Sequence, residues 1–432
     1  MSKMSYILLM VCAFSFSKND AQSFHGYGSS KYAGLQNVIF NPALISAVPN
    51  DMDIHILSFH SALGTDYTQF TFEDGLAFRE GLNFRNFKKY PKNDNQFYRI
   101  VDVLGPSFLY RLDNQQSFSI TSRIRGLYNV NNINGQILEG INEEFPQEEE
   151  FEAEIKDLSI AVHVWGEIGI TYGFSFDEVN YTLTAGTTIK RLEGVGGLFA
   201  NAEMISGSYN PRGRRITSEG TLTLSNTENF DNNDIKLKPA ASGFGVDFGF
   251  VLETEYLEFL YGKKFKLGVS VHDIGSIKYP NTTSTTYDLD KRVPVSIFED
   301  QSITAALNRN YNKSKEFNSL KITLPTSLRI FMDLEYTDQF FIGLETSTSL
   351  VSKNSPFVNR MFNYYTLNPR FEIKWVSVYS PLTLQQHSGL TWGFGLRLGI
   401  IVLGSESLMS NILASSKVTD VYAGIRIPVY RE

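Results

Sequence analysis

The sequence predicts an all-β fold, a transmembrane antiparallel β-barrel of about 14 strands (roughly 12 to 16), with an N-terminal segment placed to plug the lumen. Three observations carry this. Apolar residues alternate with small or polar ones in many separate stretches. Phe244, Val246, Phe248, Phe250 and Leu252, for example, alternate with Gly243, Gly245, Asp247, Gly249 and Val251. Such a strand has one face suited to lipid and one suited to a lumen. Aromatic residues make up 13% of the chain, with 33 Phe and 22 Tyr, and they suit a pleated surface. Short and long connections alternate along the chain, as they do in barrels with turns at one membrane face and loops at the other.

From the N-terminus, Lys3 precedes an apolar stretch from Tyr6 to Phe16 and a polar segment ending Asp20-Ala21-Gln22. This is the order of a secretory signal, expected at 1–21, and the apolar stretch is shorter than the roughly 20 residues of a spanning helix. Cys12, the single cysteine, lies inside it, and Leu9-Met10-Val11 lacks the small residue of a lipidation site. A mature chain without cysteine excludes disulfides, metal thiolates and thiol nucleophiles. Losing Lys3, Lys18 and Asp20 takes the net charge from −7 to −8, so no nucleic-acid partner is expected. Beyond the signal no apolar run reaches 18 residues and mean hydropathy is −0.16, so helical spans are not expected. No Pro/Ser-rich linker divides the rest. Residues 22–50 form the expected plug segment and 51–432 the barrel.

Strands are expected near 52–60, 105–112, 117–130, 157–175, 180–192, 197–208, 215–225, 242–254, 263–273, 322–336, 340–350, 369–380, 388–402 and 419–429. The fourth alternates Ile160, Val162, Val164, Ile168, Ile170 and Tyr172 against Ser159, His163, Glu167 and Thr171, longer than soluble strands usually run. Short links fall near 113–116, 176–179, 209–214, 255–262, 337–339 and 381–387. Long ones fall near 61–104, 131–156, 226–241, 274–321, 351–368 and 403–418, with a tight Glu193–Gly196 turn as the exception. The long set should face outward and both termini the periplasm. Pro428 should fray the last strand, since it has no N–H for the ladder.

Gly34 to Ala43, ending Phe40-Asn41-Pro42-Ala43 ahead of the first strand, resembles the Asn-Pro-Ala start of FadL-like barrels. The whole chain is similar to Bacteroidota outer-membrane proteins related to PorV, through Gly243-Phe-Gly-Val-Asp-Phe-Gly, His272-Asp273-Ile274-Gly275 and Tyr422-Ala-Gly-Ile-Arg-Ile-Pro. The resemblance implies a lumen partly filled by the N-terminal segment. It also implies either passage of apolar small molecules or service within a secretion or assembly complex.

Chemistry-bearing constellations are sparse. His163 and Glu167 share a strand face about 13 Å apart, and no nucleophile motif accompanies the 6 histidines, so no enzyme and no cofactor is expected. His272 and Asp273 are adjacent and should point to opposite faces at a strand end, and His55 and His60 fall on opposite parities. Glu148, Glu149 and Glu150 belong to an acidic loop without calcium-loop spacing; Arg212, Arg214 and Arg215 flank Gly213 in a link placed on the periplasmic side. These six are the candidate partner contacts. Asn41, Pro42, Trp165, Phe331, Arg329 and Asp333 are the candidate ligand or plug residues. Lumen-facing charges of both signs should pair across the interior and close it. The expected function is a non-enzymatic partner-binding subunit of an outer-membrane secretion or assembly complex, the alternative a FadL-like conduit for hydrophobic molecules. Expected partners are outer-membrane lipids, other outer-membrane or periplasmic proteins, and a hydrophobic small molecule.

Overall fold

The computed structural model describes residues 26–77, 87–142, 145, 148–231, 234–236, 238–257, 263–299, 302–352 and 357–430. The expected signal peptide lies outside them. Antiparallel strands close a 14-stranded barrel. They are β1 (Asn50–Thr65), β2 (Asn95–Leu104, continued by Ser107–Arg111), β3 (Gln116–Ile133), β4 (Phe151–Asp177), β5 (Tyr181–Asn210), β6 (Arg215–Thr227, resumed at Ala241–Leu257) and β7 (Lys263–Asp288). There follow β8 (Asn312–Thr323, resumed at Ser327–Glu335), β9 (Phe340–Ser349), β10 (Tyr364–Glu372), β11 (Val376–Tyr379 and Leu382–Gln385), β12 (Gly389–Trp392 and Phe394–Leu398), β13 (Ile401–Ser405) and β14 (Val418–Tyr430). Pairing of β1 with β14, from Asn50 opposite Tyr430 to Gly64 opposite Val418, closes the cylinder.

Alternation builds the outer face. Ile168, Ile170, Tyr172, Phe174 and Phe176 of β4, Phe248 and Phe250 of β6, and Ile425, Ile427 and Val429 of β14 are all exposed, where a soluble protein would bury them. Tyr110, Phe176, Tyr181, Tyr336, Phe340 and Trp375 cluster at the end carrying the short β2–β3, β4–β5, β8–β9 and β10–β11 connections, an interfacial aromatic girdle. That end, the turn end, also holds Asn50 and Tyr430. The opposite, loop end carries the long connections and two tight ones, after β5 and after β11.

The strand count agrees with the sequence reading although the segmentation does not. The stretches at 180–192 and 197–208 are one strand, β5, and those at 215–225 and 242–254 are two parts of β6. Conversely 369–380 covers parts of β10 and β11, and 388–402 covers β12 and the start of β13. Two mergers offset two divisions. No turn forms at Glu193–Gly196: β5 continues through it with a bulge, Val195 being the extra residue opposite Val164 and Trp165 of β4. The Arg212, Arg214 and Arg215 link therefore sits at the loop end, not at the turn end.

Bulges overturn two further expectations. A register shift between Val246 and Phe248 of β6 puts two β7 residues opposite one. Asp273 there takes a left-handed φ of 59°, and both His272 and Asp273 are buried in the lumen rather than lying at an outer rim. A second shift between His55 and Leu57 of β1 brings His55 and His60 to the same, inner face. The expected loop at 274–321 is shorter, because β7 continues to Asp288.

β4 and β5 are 27 and 30 residues long, whereas crossing a bilayer takes about 10. The excess of β4–β8 stands beyond the membrane band as a wall. Helices α1 (Leu35–Phe40) and α2 (Phe72–Ala77) flank β1 in the chain, while α3 (Gly135–Asn142), α4 (Ser296–Glu299) and α5 (Ile303–Asn310) pack on the outer face of the wall, where Leu307 and Tyr311 meet Tyr287, Leu222 and Leu224.

Candidate functional site

Residues 26–48 lie inside the barrel. Helix α1 (Leu35–Phe40) is followed by a 3-10 turn, Pro42–Ser46. Pro42 suits the first position of that turn, and Asn41 caps it, its Oδ1 accepting from the Ala43 N–H at 2.9 Å. The Asn41 amide also donates to the carbonyls of Phe250 and Val269, both at 3.4 Å. Gly186 and Gly249 make this approach possible: a Cβ on Gly186 would lie 2.3 Å from the Pro42 carbonyl oxygen, and one on Gly249 2.0 Å from Asn41 Oδ1.

Anchors come from almost the whole circumference. Arg329 donates to the Ile39 and Phe40 carbonyls at 3.3 Å, and Phe40 packs on Phe331 with centroids 5.3 Å apart. Ser29 donates to Glu345 at 2.6 Å and Gln36 to Ser58 at 2.7 Å. Arg426 pairs with Asp53 and donates to the Tyr32 carbonyl. Leu35, Val38, Ile45 and Val48 bury against Leu109. Burial pushes the Tyr27 phenol of this segment above its usual pKa.

Next along the axis, toward the loop end, a chain of charges crosses the lumen. Asp102 of β2 binds Arg123 of β3 (Nε–Oδ1 2.7 Å), and Arg123 reaches Glu167 of β4 at 3.3 Å. Arg125 lies 3.9 Å from Glu167 and 2.8 Å from Asp273 of β7. Lys190 of β5 then bridges Asp273 at 2.7 Å and Asp247 of β6 at 2.8 Å. Desolvation makes such pairs poor sources of stability, but removing one partner leaves a buried charge unmatched. They therefore fix β2–β7 against one another. A second set, Asp333–Arg370–Glu372, joins β8 to β10 at 2.5 and 2.8 Å.

An apolar layer closes the loop end. Trp165 stacks on His163 at 4.8 Å under the Arg125 guanidinium, and His163 bonds the Tyr279 hydroxyl at 3.0 Å. Tyr98, Leu127, Phe199, Met361 and Phe362 complete the layer. Asn359, from the β9–β10 connection, pins it by donating to Asn129 Oδ1 at 2.9 Å and the Ala161 carbonyl at 2.8 Å. Plug, charges and apolar layer thus follow one another along the axis, with a polar space of about 200 Å³ left beside the plug between Ser29, Lys31 and Ala47 and Glu253, Lys266 and Asp333.

Larger spaces lie in and on the wall. β13 stops at Ser405, while β12 extends up to Gly389 and β14 up to Val418, so the ladder is missing between them over the upper part of the seam. Helix α6 (Leu408–Leu413) covers it: Ser410 Oγ accepts from the Trp392 N–H at 2.8 Å, and the Asn411 amide donates to the Val418 carbonyl at 3.1 Å. Two of the groups left without a β13 partner are thereby satisfied. A cleft of about 790 Å³ opens here, lined by outward-facing Phe59, Phe394, Leu403 and Val421, by buried Ser405, and by inward-facing Asp420 and Tyr422. A second cavity, about 470 Å³, lies between the outer face of the wall and helices α3 and α5, lined mainly by Phe145, Phe151, Ile155, Leu198, Ile216 and Leu307.

Of the residues singled out from sequence, Asn41, Pro42, Arg329 and Phe331 meet at the plug, and Asp333 lies in the adjoining Arg370 pair. Trp165 is apart from them, in the apolar layer. Glu148, Glu149 and Glu150 are exposed at the loop end, with no ion pair among the described residues. Arg214 pairs with Glu299 at 2.6 Å, while Arg212 and Arg215 are exposed. Sequence reasoning missed Asp247, Tyr279, Asn359 and the whole cleft. Asp247 stood on the correct parity, but its meeting with both His272 and Asp273 depends on a bulge.

No curated protein matches the sequence. Among solved structures the chain is similar to the toluene transporter TodX of P. putida, at 7% identity and TM-score 0.48 over 93% of this chain and 95% of that one. It is similar also to the toluene transporter TbuX of Ralstonia pickettii, at 8% and 0.44 over 92% and 94%. A Pseudomonas aeruginosa FadL homologue gives 9% and 0.45 over 95% and 98%. A family profile spans residues 42–406, and the chain accordingly belongs to the family described as "Family of unknown function (DUF5723)".

Proposed function

We propose that this chain is a non-enzymatic outer-membrane barrel, termini on the periplasmic side, that takes up apolar small molecules through its wall rather than along its axis. The observation that supports it best is the 790 Å³ cleft at the β12–β14 seam, where an apolar outer lining continues to inward-facing polar groups. The apolar cavity beneath α5, on the same outer surface, suits first capture. An axial route has no comparable support, because plug, charges and apolar layer occupy it. The partner-subunit reading rests on the PorV-like resemblance and on exposed charges, and such charges are ordinary at a loop end.

The test is binding and transfer of a defined probe, N-phenyl-1-naphthylamine, with toluene and hexadecanoate as competitors, using the full barrel in detergent and then in liposomes. Saturable binding that both competitors displace is expected. Ile303→Glu, at the mouth of the outer cavity, should weaken capture about tenfold or more through lost apolar contact. Leu408→Glu, in the cleft, should slow transfer while sparing capture. Binding no greater than in empty detergent micelles would sink the reading.

A further inference from the structure

We infer that His60, Glu406 and Asp420 form a binding site for one divalent metal ion. One ligand atom from each lies within 4.8 Å of the others. They come from three separate segments: His60 from β1, Asp420 from β14 and Glu406 from the first residue beyond β13. His60 and Glu406 are buried, and Asp420 is half-buried at the inner side of the cleft.

The donor set is one imidazole nitrogen and carboxylate oxygens from two acids. Two carboxylates this close repel each other in a partly dry site, and a dication converts that repulsion into ligation. Imidazole with carboxylate suits Zn²⁺ or Mn²⁺, with water in the remaining positions; it is poor for Ca²⁺, which takes six to eight oxygens. The surroundings hold the ligands in place. Asp420 Oδ1 accepts from Ser405 Oγ at 2.9 Å and Ser407 Oγ at 2.6 Å, and Oδ2 accepts from the Glu406 N–H at 2.7 Å. Such outer hydrogen bonds orient metal-binding carboxylates. His60 stands opposite Tyr422 of β14 and Asp102 of β2 in register, which keeps its ring on the inner face. A bound ion would tie the chain leaving β13 to both β1 and β14, at the place where the strand ladder ends. The site shares Asp420 with the cleft of the transport proposal, but its occupancy does not depend on transport.

The experiment is titration of chelator-stripped, untagged full-length barrel with Zn²⁺ and, separately, Mn²⁺ by calorimetry, with elemental analysis after dialysis. One equivalent is expected, with affinity falling by about 100-fold or more in Glu406→Gln and in Asp420→Asn. His387→Ala, a histidine elsewhere, should leave it unchanged. If either ligand variant fails to fold, Co²⁺ absorption of the wild-type barrel still decides, since a nitrogen–oxygen site gives d–d bands that Zn²⁺ abolishes one for one. No bound equivalent, unaltered binding in both folded ligand variants, or no displaceable Co²⁺ band would overturn the assignment.

Discussion

Gly186→Ala should loosen the plug although it adds a single methyl group in the middle of a strand. The new Cβ would sit 2.3 and 2.4 Å from the Pro42 carbonyl oxygen and carbon and 2.6 Å from the Ala43 nitrogen. Ordinary contacts lie near 3.5–4 Å, so the turn must retreat by roughly 1 Å. All three atoms are backbone, and no rotamer change relieves them. Overpacking of this kind costs about 1–3 kcal/mol. The Asn41 bonds to Phe250 and Val269 are already 3.4 Å long and would be lost, adding about 1 kcal/mol. The assay is the temperature at which the SDS-resistant barrel unfolds on a gel, together with conductance in planar bilayers. A lower unfolding temperature and new conductance steps are expected. Gly126→Ala is the control, since its Cβ would meet only Val164 and Val101 at 3.8 and 3.9 Å. Identical behaviour of Gly186→Ala, Gly126→Ala and wild type would refute the idea that the Asn41–Ala43 turn is wedged against the wall.

Other consequences are open to measurement. Lys190→Met strips the cation from between Asp247 and Asp273 and should destabilise the barrel by about 3–5 kcal/mol in urea unfolding; adding Asp273→Asn should restore part of it. Trp165→Ala, in the filled apolar layer, should cost about 3–5 kcal/mol in the same assay. Arg214→Ala breaks a half-exposed pair with Glu299 and should change stability by no more than about 1 kcal/mol. Asn359→Ala releases the connection pinned to Asn129 and Ala161, and hydrogen exchange at 357–363 should rise while the β4 core stays protected.

The barrel was legible because lipid imposes a period of two on every crossing strand. What escaped were places where that period is broken or is not needed. β5 reads as two strands because Glu193-Gly194-Val195-Gly196-Gly197 looks like a turn. In the structure Gly194 and Gly196 make room for Tyr279 and Phe230, whose atoms would lie 2.3 and 2.4 Å from an added Cβ. The β10–β11 turn hides in Ile373-Lys374-Trp375, which contains neither Gly nor Pro, and the β12–β13 turn in Gly399-Ile400 among apolar neighbours. Residues 95–104 show no apolar-to-polar alternation, because Tyr98 and Ile100 face the apolar layer inside the lumen. Bulges at β1, β5 and β7 add one residue each and reverse parity, so His60 and Asp273 could not be placed by counting. The plug was foreshadowed by the apolar residues of 35–48, but its partners, Arg329 and Phe331 apart, are spread over strands that only closure brings together.

The seam at β13 differs in kind from the rest of the cylinder. Elsewhere, separating neighbours means breaking a cooperative ladder, but here two side-chain bonds from Ser410 and Asn411 stand in for it. At roughly 0.5–1.5 kcal/mol each, the two together contribute about 1–3 kcal/mol across the seam. The wall is therefore expected to yield first at that point, and amide exchange at Trp392 should outpace exchange in the middle of β4.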